Sequence, residues 1–286
     1  MLAITASVHS CPILKELMRR FTTAVLGAVM AFAGISAGTA APAQAATQPE
    51  YVALGDSYAS GVGAGSYDSA SGACKRSTNN YPHQWAAAHP SYTLKDVSCS
   101  GATIPDVRNN QLSALSSNTK LVTITVGGND AQFSSVVQGC LTQSDSYCQT
   151  ATTWMSSYAR NQMVDDLAAL YKDIRTKAPN AIVWAFGYPR VLSTSSTACP
   201  VIDLSAAKRG YMNGFADALS DGTLAASIKS AVYYVDMRTQ FNGHGACGSD
   251  SWFNDLTNAS EVFHPNLTGY TQGYTARFKA LWGSAA

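Results

Sequence analysis

The chain has 286 residues, 46% hydrophobic and only 13% charged, with a formal net charge of +1. That composition supports a large buried core and excludes a disordered chain. No block of Lys or Arg occurs, so there is no electrostatic footprint for nucleic acid.

The first predicted element is a secretory leader over residues 1–45. Met18-Arg19-Arg20 opens an apolar run from Phe21 to Ala41, and Ala43-Gln44-Ala45 ends it as a small-residue cleavage site. Gly27, Gly34 and Gly38 dilute the run, and no second apolar stretch of spanning length follows. Lys15, Arg19 and Arg20 leave with the leader against Glu16, so the remainder, residues 46–286, carries about −1. The remainder reads as one domain, exported and extracellular, with a monomer as the default.

Along that remainder, apolar runs of strand length alternate with helical patterns. The predicted strands are Tyr51–Leu54, Thr93–Val97, Leu121–Val126, Ala181–Phe186 and Ala231–Val235. Each is continuous rather than alternating, as expected when both faces are covered. The predicted helices are Tyr81–His89, Ala151–Ala178, Leu204–Ala226 and Leu267–Trp282. Such alternation gives a three-layer α/β/α domain around a five-stranded parallel, flavodoxin-like sheet. Three segments rich in Gly, Ser, Asn and Asp break the rhythm and read as long surface loops: Gly61–Asn80, Gly139–Thr150 and Phe241–Glu261.

Of seven cysteines, Cys11 departs with the leader. Cys74, Cys99, Cys140, Cys148, Cys199 and Cys247 remain, and an even count in an exported chain implies disulfides. Neighbour order favours Cys74–Cys99, Cys140–Cys148 and Cys199–Cys247. Neither C-x-x-C nor H-E-x-x-H occurs, so no metal and no cofactor is expected.

The strand ends carry the chemistry. Gly55-Asp56-Ser57 follows the first strand, Ser98 to Ala102 the second and Gly127-Gly128-Asn129-Asp130 the third, while His264-Pro265 follows the last loop. In an open parallel sheet these ends share one edge, where ligands bind. A hydroxyl, glycine N–H groups, a carboxamide and an imidazole would converge there, the parts of a serine acyl-transfer site. Taken singly, each segment also reads as an ordinary turn or helix cap. Gly34-Ile35-Ser36-Ala37-Gly38 matches a nucleophile elbow by chance within the leader. Gly61-Val62-Gly63-Ala64-Gly65 lacks the spacing of a phosphate loop and reads as a flexible cleft wall.

These blocks, in this order, resemble the SGNH hydrolases, also called GDSL lipases and esterases, and in particular their secreted actinobacterial branch. Tyr58 departs from the pattern, standing where leucine is usual. The resemblance implies Ser57 as nucleophile and His264 as base. It also implies an oxyanion hole of the Ser57 N–H, the Gly101 N–H and the Asn129 side chain. Glu261, three residues before His264, stands where many relatives carry an orienting Asp. Glu261 and a main-chain carbonyl of the same loop both remain candidates to hold His264, with Asp250 and Asp255 nearby. His244 is the reserve base. With a reference pKa of about 6.5, His264 would make activity rise from about pH 6.

The expected reaction is hydrolysis of carboxylic esters through an acyl-enzyme on Ser57. Phe133, Val136, Val137, Trp252 and Phe253 could seat an acyl chain, which favours glycerides or phospholipids and a transient contact with a lipid interface. A polysaccharide O-acetyl esterase is the alternative, and a non-catalytic exported binding protein a further one.

Overall fold

A computed structural model describes residues 47–194, 204–255 and 261–285. The expected leader and Cys199 lie outside these residues. Strands β1 (Glu50–Gly55), β2 (Thr93–Asp96), β3 (Thr119–Thr125), β4 (Ile182–Phe186) and β5 (Tyr233–Val235) form one parallel sheet in the order β2-β1-β3-β4-β5. This is the expected flavodoxin-like arrangement. The central strands β1, β3 and β4 are buried almost throughout, whereas the edge strands β2 and β5 are partly exposed. Continuous apolar runs are what a strand covered on both faces requires.

The helices are α1 (Ser57–Ser60), α2 (Tyr81–Ala88), α3 (Ile104–Asp106), α4 (Phe133–Thr142), α5 (Asp145–Arg160), α6 (Gln162–Lys177), α7 (Ala206–Ser230), α8 (Met237–Gln240) and α9 (Ala276–Ala285). Helices α5 and α6 pack on α7, which in turn lies against β4 and β5. On the C-terminal side, α2 packs on a π-helical stretch, Gly269–Thr275, that leads into α9. Tyr51, Tyr81, Trp85, Phe186, Tyr274 and Phe278 interlock there with ring centroids about 5–6 Å apart.

Two expectations need correcting. The helix expected over Ala151–Ala178 is two helices broken at Asn161, whose φ of −120° and ψ of −86° leave the helical region. The Asn161 amide donates to Ser157 O at 2.7 Å, a local bond that competes with the helix ladder. The loop expected over Gly139–Thr150 is largely helical, because Ser144 caps α5 by accepting from Tyr147 N–H. The polar residues there mark a helix start rather than a loop.

The disulfides Cys74–Cys99 and Cys140–Cys148 are both present. The second joins the end of α4 to the first turn of α5. Cys247 is also disulfide-bonded, and its expected partner Cys199 falls outside the described residues. Among the described residues no helix is long and apolar enough to cross a membrane.

Candidate active site

The end of β1 is shaped by a glycine. Gly55 has φ +126°, and a Cβ there would lie 2.2 Å from Thr125 O on the neighbouring strand. The Gln111 side chain clamps both peptides of the same residue, accepting from Gly55 N–H at 2.7 Å and donating to Gly55 O at 2.9 Å. The chain then turns into α1, with Asp56 as its N-cap accepting from Tyr58 N–H at 2.9 Å. Ser57 is the first residue of that helix and is 9% exposed. Gly61 closes the helix in the left-handed conformation, its N–H donating to Ser57 O.

His264 arrives from the far end of the chain. Its Nε2 lies 2.8 Å from Ser57 Oγ, the contact required between a base and the hydroxyl it activates. The imidazole keeps some solvent contact, yet burial lowers its pKa to about 4, opposed by the main-chain carbonyls of Val262 and Glu261. Buried Nδ1 has no well-aligned hydrogen-bond partner among side chains or main chain.

The Glu261 carboxylate instead accepts from the Tyr67 hydroxyl at 2.5 Å, and that hydroxyl also receives Gly63 N–H at 2.8 Å. Its charge still favours the protonated imidazole through space. Of the remaining candidates, His244 stacks on Trp252 at 3.7 Å and pairs with Asp250 at 3.0 Å, so both are engaged away from Ser57.

The third block closes the site. Asn129 Nδ2 donates to Ala102 O at 2.9 Å, and the carboxamide has a second N–H beyond that bond. The neighbouring Asp130 carboxylate receives Ile104 N–H at 3.1 Å, at the start of α3. Together they hold the turn containing Gly101, which adopts φ +81°. Gly101 lines the adjacent cleft with Cys74, Arg76 and Cys99. The Cys74–Cys99 disulfide and the Ser100 N–H to Cys74 O bond fasten that turn from the other side.

Ser57, His264 and Asn129 line one cleft, walled by Tyr58, Phe133, Tyr188, Pro189, Val191 and Ala216. Phe133 was the expected apolar wall. Val136 and Val137 are buried within α4, and Trp252 and Phe253 pack around Phe241, none of them on this cavity. Tyr188, Pro189 and Val191 were not foreseen. They follow β4, the strand end whose residues carried no recognisable motif.

Tyr188 also links two blocks. Its hydroxyl receives Gly128 N–H at 3.0 Å and donates to the buried Asp56 carboxylate at 2.5 Å. Burial lifts the Asp56 pKa to about 7 despite the Tyr188 and Tyr58 hydrogen bonds that oppose it. Among the described residues no group of three or more His, Cys, Asp or Glu could hold a metal ion.

The chain is similar to known proteins along most of its length. Residues 53–272 match the model of the GDSL-like Lipase/Acylhydrolase family. Lipase 1 of Streptomyces coelicolor is 42% identical over 265 residues, covering 90% of this chain and 97% of that protein. Among solved structures, the extracellular lipase of Streptomyces rimosus superposes with a TM-score of 0.78 at 38% identity, covering 81% of this chain and 99% of the other. Phospholipase A1 of Streptomyces albidoflavus gives the same TM-score and identity, with 82% and 99% covered. The matched region spans every block that builds the cavity, and the chain belongs to the GDSL-like lipase/acylhydrolase family, as a carboxylic ester hydrolase.

Proposed function

We propose that this hydrolase acts on the ester bonds of acyl lipids through an acyl-enzyme on Ser57. The observation that carries the reading is the 2.8 Å contact between His264 Nε2 and Ser57 Oγ at a cavity walled by apolar side chains. Neutral His264 takes the Ser57 proton as the hydroxyl attacks the ester carbonyl. The Ser57 N–H, Gly101 N–H and Asn129 amide receive the oxyanion, each donor worth about 3 kcal/mol in the transition state. His264 then passes its proton to the leaving alcohol, and water repeats the sequence on the acyl-enzyme. As the base takes the proton, the Glu261 and Val262 carbonyls beside it favour the imidazolium, and the Glu261 carboxylate does so through space.

Lipid esters are favoured by the wall of Phe133, Val191 and Ala216 and by the lipases and phospholipase to which the chain is similar. Residues 1–45 act as a removable leader, and the protein works outside the cell as a monomer. Disulfides and the extracellular relative support export.

Kinetic rates across p-nitrophenyl esters from acetyl to palmitoyl test the substrate class. A maximum at medium or long chains is expected, and strict acetyl preference would replace the lipid reading with a deacetylase. Labelling by a fluorophosphonate, mapped to Ser57, tests the nucleophile.

A further inference from the structure

Resting on the Ser57–His264 reading, we infer that Tyr58 is the positioning residue that registers the base against the nucleophile. The Tyr58 hydroxyl donates at 2.6 Å to the carbonyl oxygen of Phe263, the residue directly before His264. Tyr58 itself directly follows Ser57. One side chain on α1 therefore grips the peptide that carries the base, across 205 positions of sequence.

The gripped peptide is an unusual one. Phe263 has φ +58°, the left-handed region that bulky side chains avoid. The Phe263–His264 peptide unit is held at both ends: Tyr58 takes its oxygen, and Glu261 O accepts its His264 N–H at 3.0 Å. Beyond it, His264 O receives Asn254 N–H at 2.9 Å. The Glu261 and Asn254 bonds join parts of the C-terminal loop to one another. The Tyr58 bond joins that loop to the nucleophile's own helix, so it sets the distance between Oγ and Nε2 rather than the shape of the loop alone.

The ring completes the fit. Tyr58 and His264 rings lie 5.2 Å apart at 39°, and Tyr58 packs edge-on against Tyr188 at 5.2 Å. The phenol is 3% exposed, so water does not compete for the carbonyl. A leucine here would leave the Phe263 carbonyl without this donor.

Tyr58→Phe removes the hydroxyl while keeping the ring that lines the cavity. Its kcat, expressed per Ser57 titrated by a fluorophosphonate, should fall about 10- to 100-fold with KM within twofold, since a misplacement of about 1 Å costs that order. Normalising by titrated sites removes any effect of misfolded protein. Should Tyr58→Phe fail to fold, Tyr58→Leu, which removes the ring as well, should lower kcat per titrated site at least as far, and a value within threefold of wild type would equally overturn the inference. A kcat per titrated site within threefold of wild type would overturn the inference while leaving the hydrolase reading intact. A wild-type protein that turned over esters without labelling at Ser57 would overturn both.

Discussion

The hydroxyl of Tyr188 donates to the carboxylate of Asp56 at 2.5 Å, although the two residues belong to different strand ends and neither touches the scissile bond in the proposed reaction. Through Gly128 N–H, the same hydroxyl fixes the backbone next to Asn129. The cap of the nucleophile helix and the turn of the oxyanion donor are thus one hydrogen-bonded unit.

This unit predicts a pH dependence of stability. Burial raises the Asp56 pKa in the folded state to about 7, above its unfolded value of about 3.9. The folded state therefore binds the proton more tightly, so the stabilisation is fully present below about pH 4 and is lost as pH rises through 7. Asp56→Asn keeps a capping oxygen but cannot titrate. Urea midpoints between pH 5 and 8 should fall in wild type by more than in the variant; equal slopes would show that Asp56 is ionised throughout.

Activity should persist well below the range expected from a free imidazole. The base must be neutral, and burial places the His264 pKa at about 4, despite Glu261 favouring its charged form. Expected from pH 6 upward on the reference value, the acid limb of kcat/KM should instead fall near pH 4 to 5. A limb at pH 6.5 or above would mean that the free enzyme holds His264 solvated.

Glu261→Ala separates the two orienting candidates. A carboxylate bonded to the base costs about 10⁴-fold in rate when lost. Here the carboxylate accepts from Tyr67 and Nδ1 has no hydrogen bond to it. The expected loss in kcat is below about tenfold, and a loss of a thousandfold or more would assign the carboxylate the orienting role.

The two described disulfides should behave differently when both cysteines are changed to Ser. Each closes a loop and should contribute about 2–4 kcal/mol of stability, measurable as a lower urea midpoint. Cys74–Cys99 closes a separation of 25 residues and anchors the turn of Gly101, so its loss should also lower kcat at least tenfold. Cys140–Cys148 links α4 to α5, and its loss should leave kcat per folded enzyme unchanged. Equal kinetic effects would detach Gly101 from the reaction.

The sheet and the blocks at its edge are legible in the sequence because each rests on local chemistry. Buried parallel strands need unbroken apolar runs, and Gly55, Asp56 and Asn129 each sit where a turn or cap demands that residue type. Tyr188 and the Tyr58–Phe263 bond are not legible, since both are tertiary contacts between tyrosines and main chain with no sequence spacing to betray them. The α4–α5 region misled for a different reason: Ser144 and Asn161 are loop-like residues that here cap and break helices.

Helix α1 is four residues long. A segment that short has no stability of its own in water. The serine acquires its geometry only when β1, the clamp of Gln111 and the C-terminal loop are all assembled. Neither an excised peptide nor a loosened globule would cleave esters, so turnover under mild denaturant counts intact molecules and can serve as a readout of the native population.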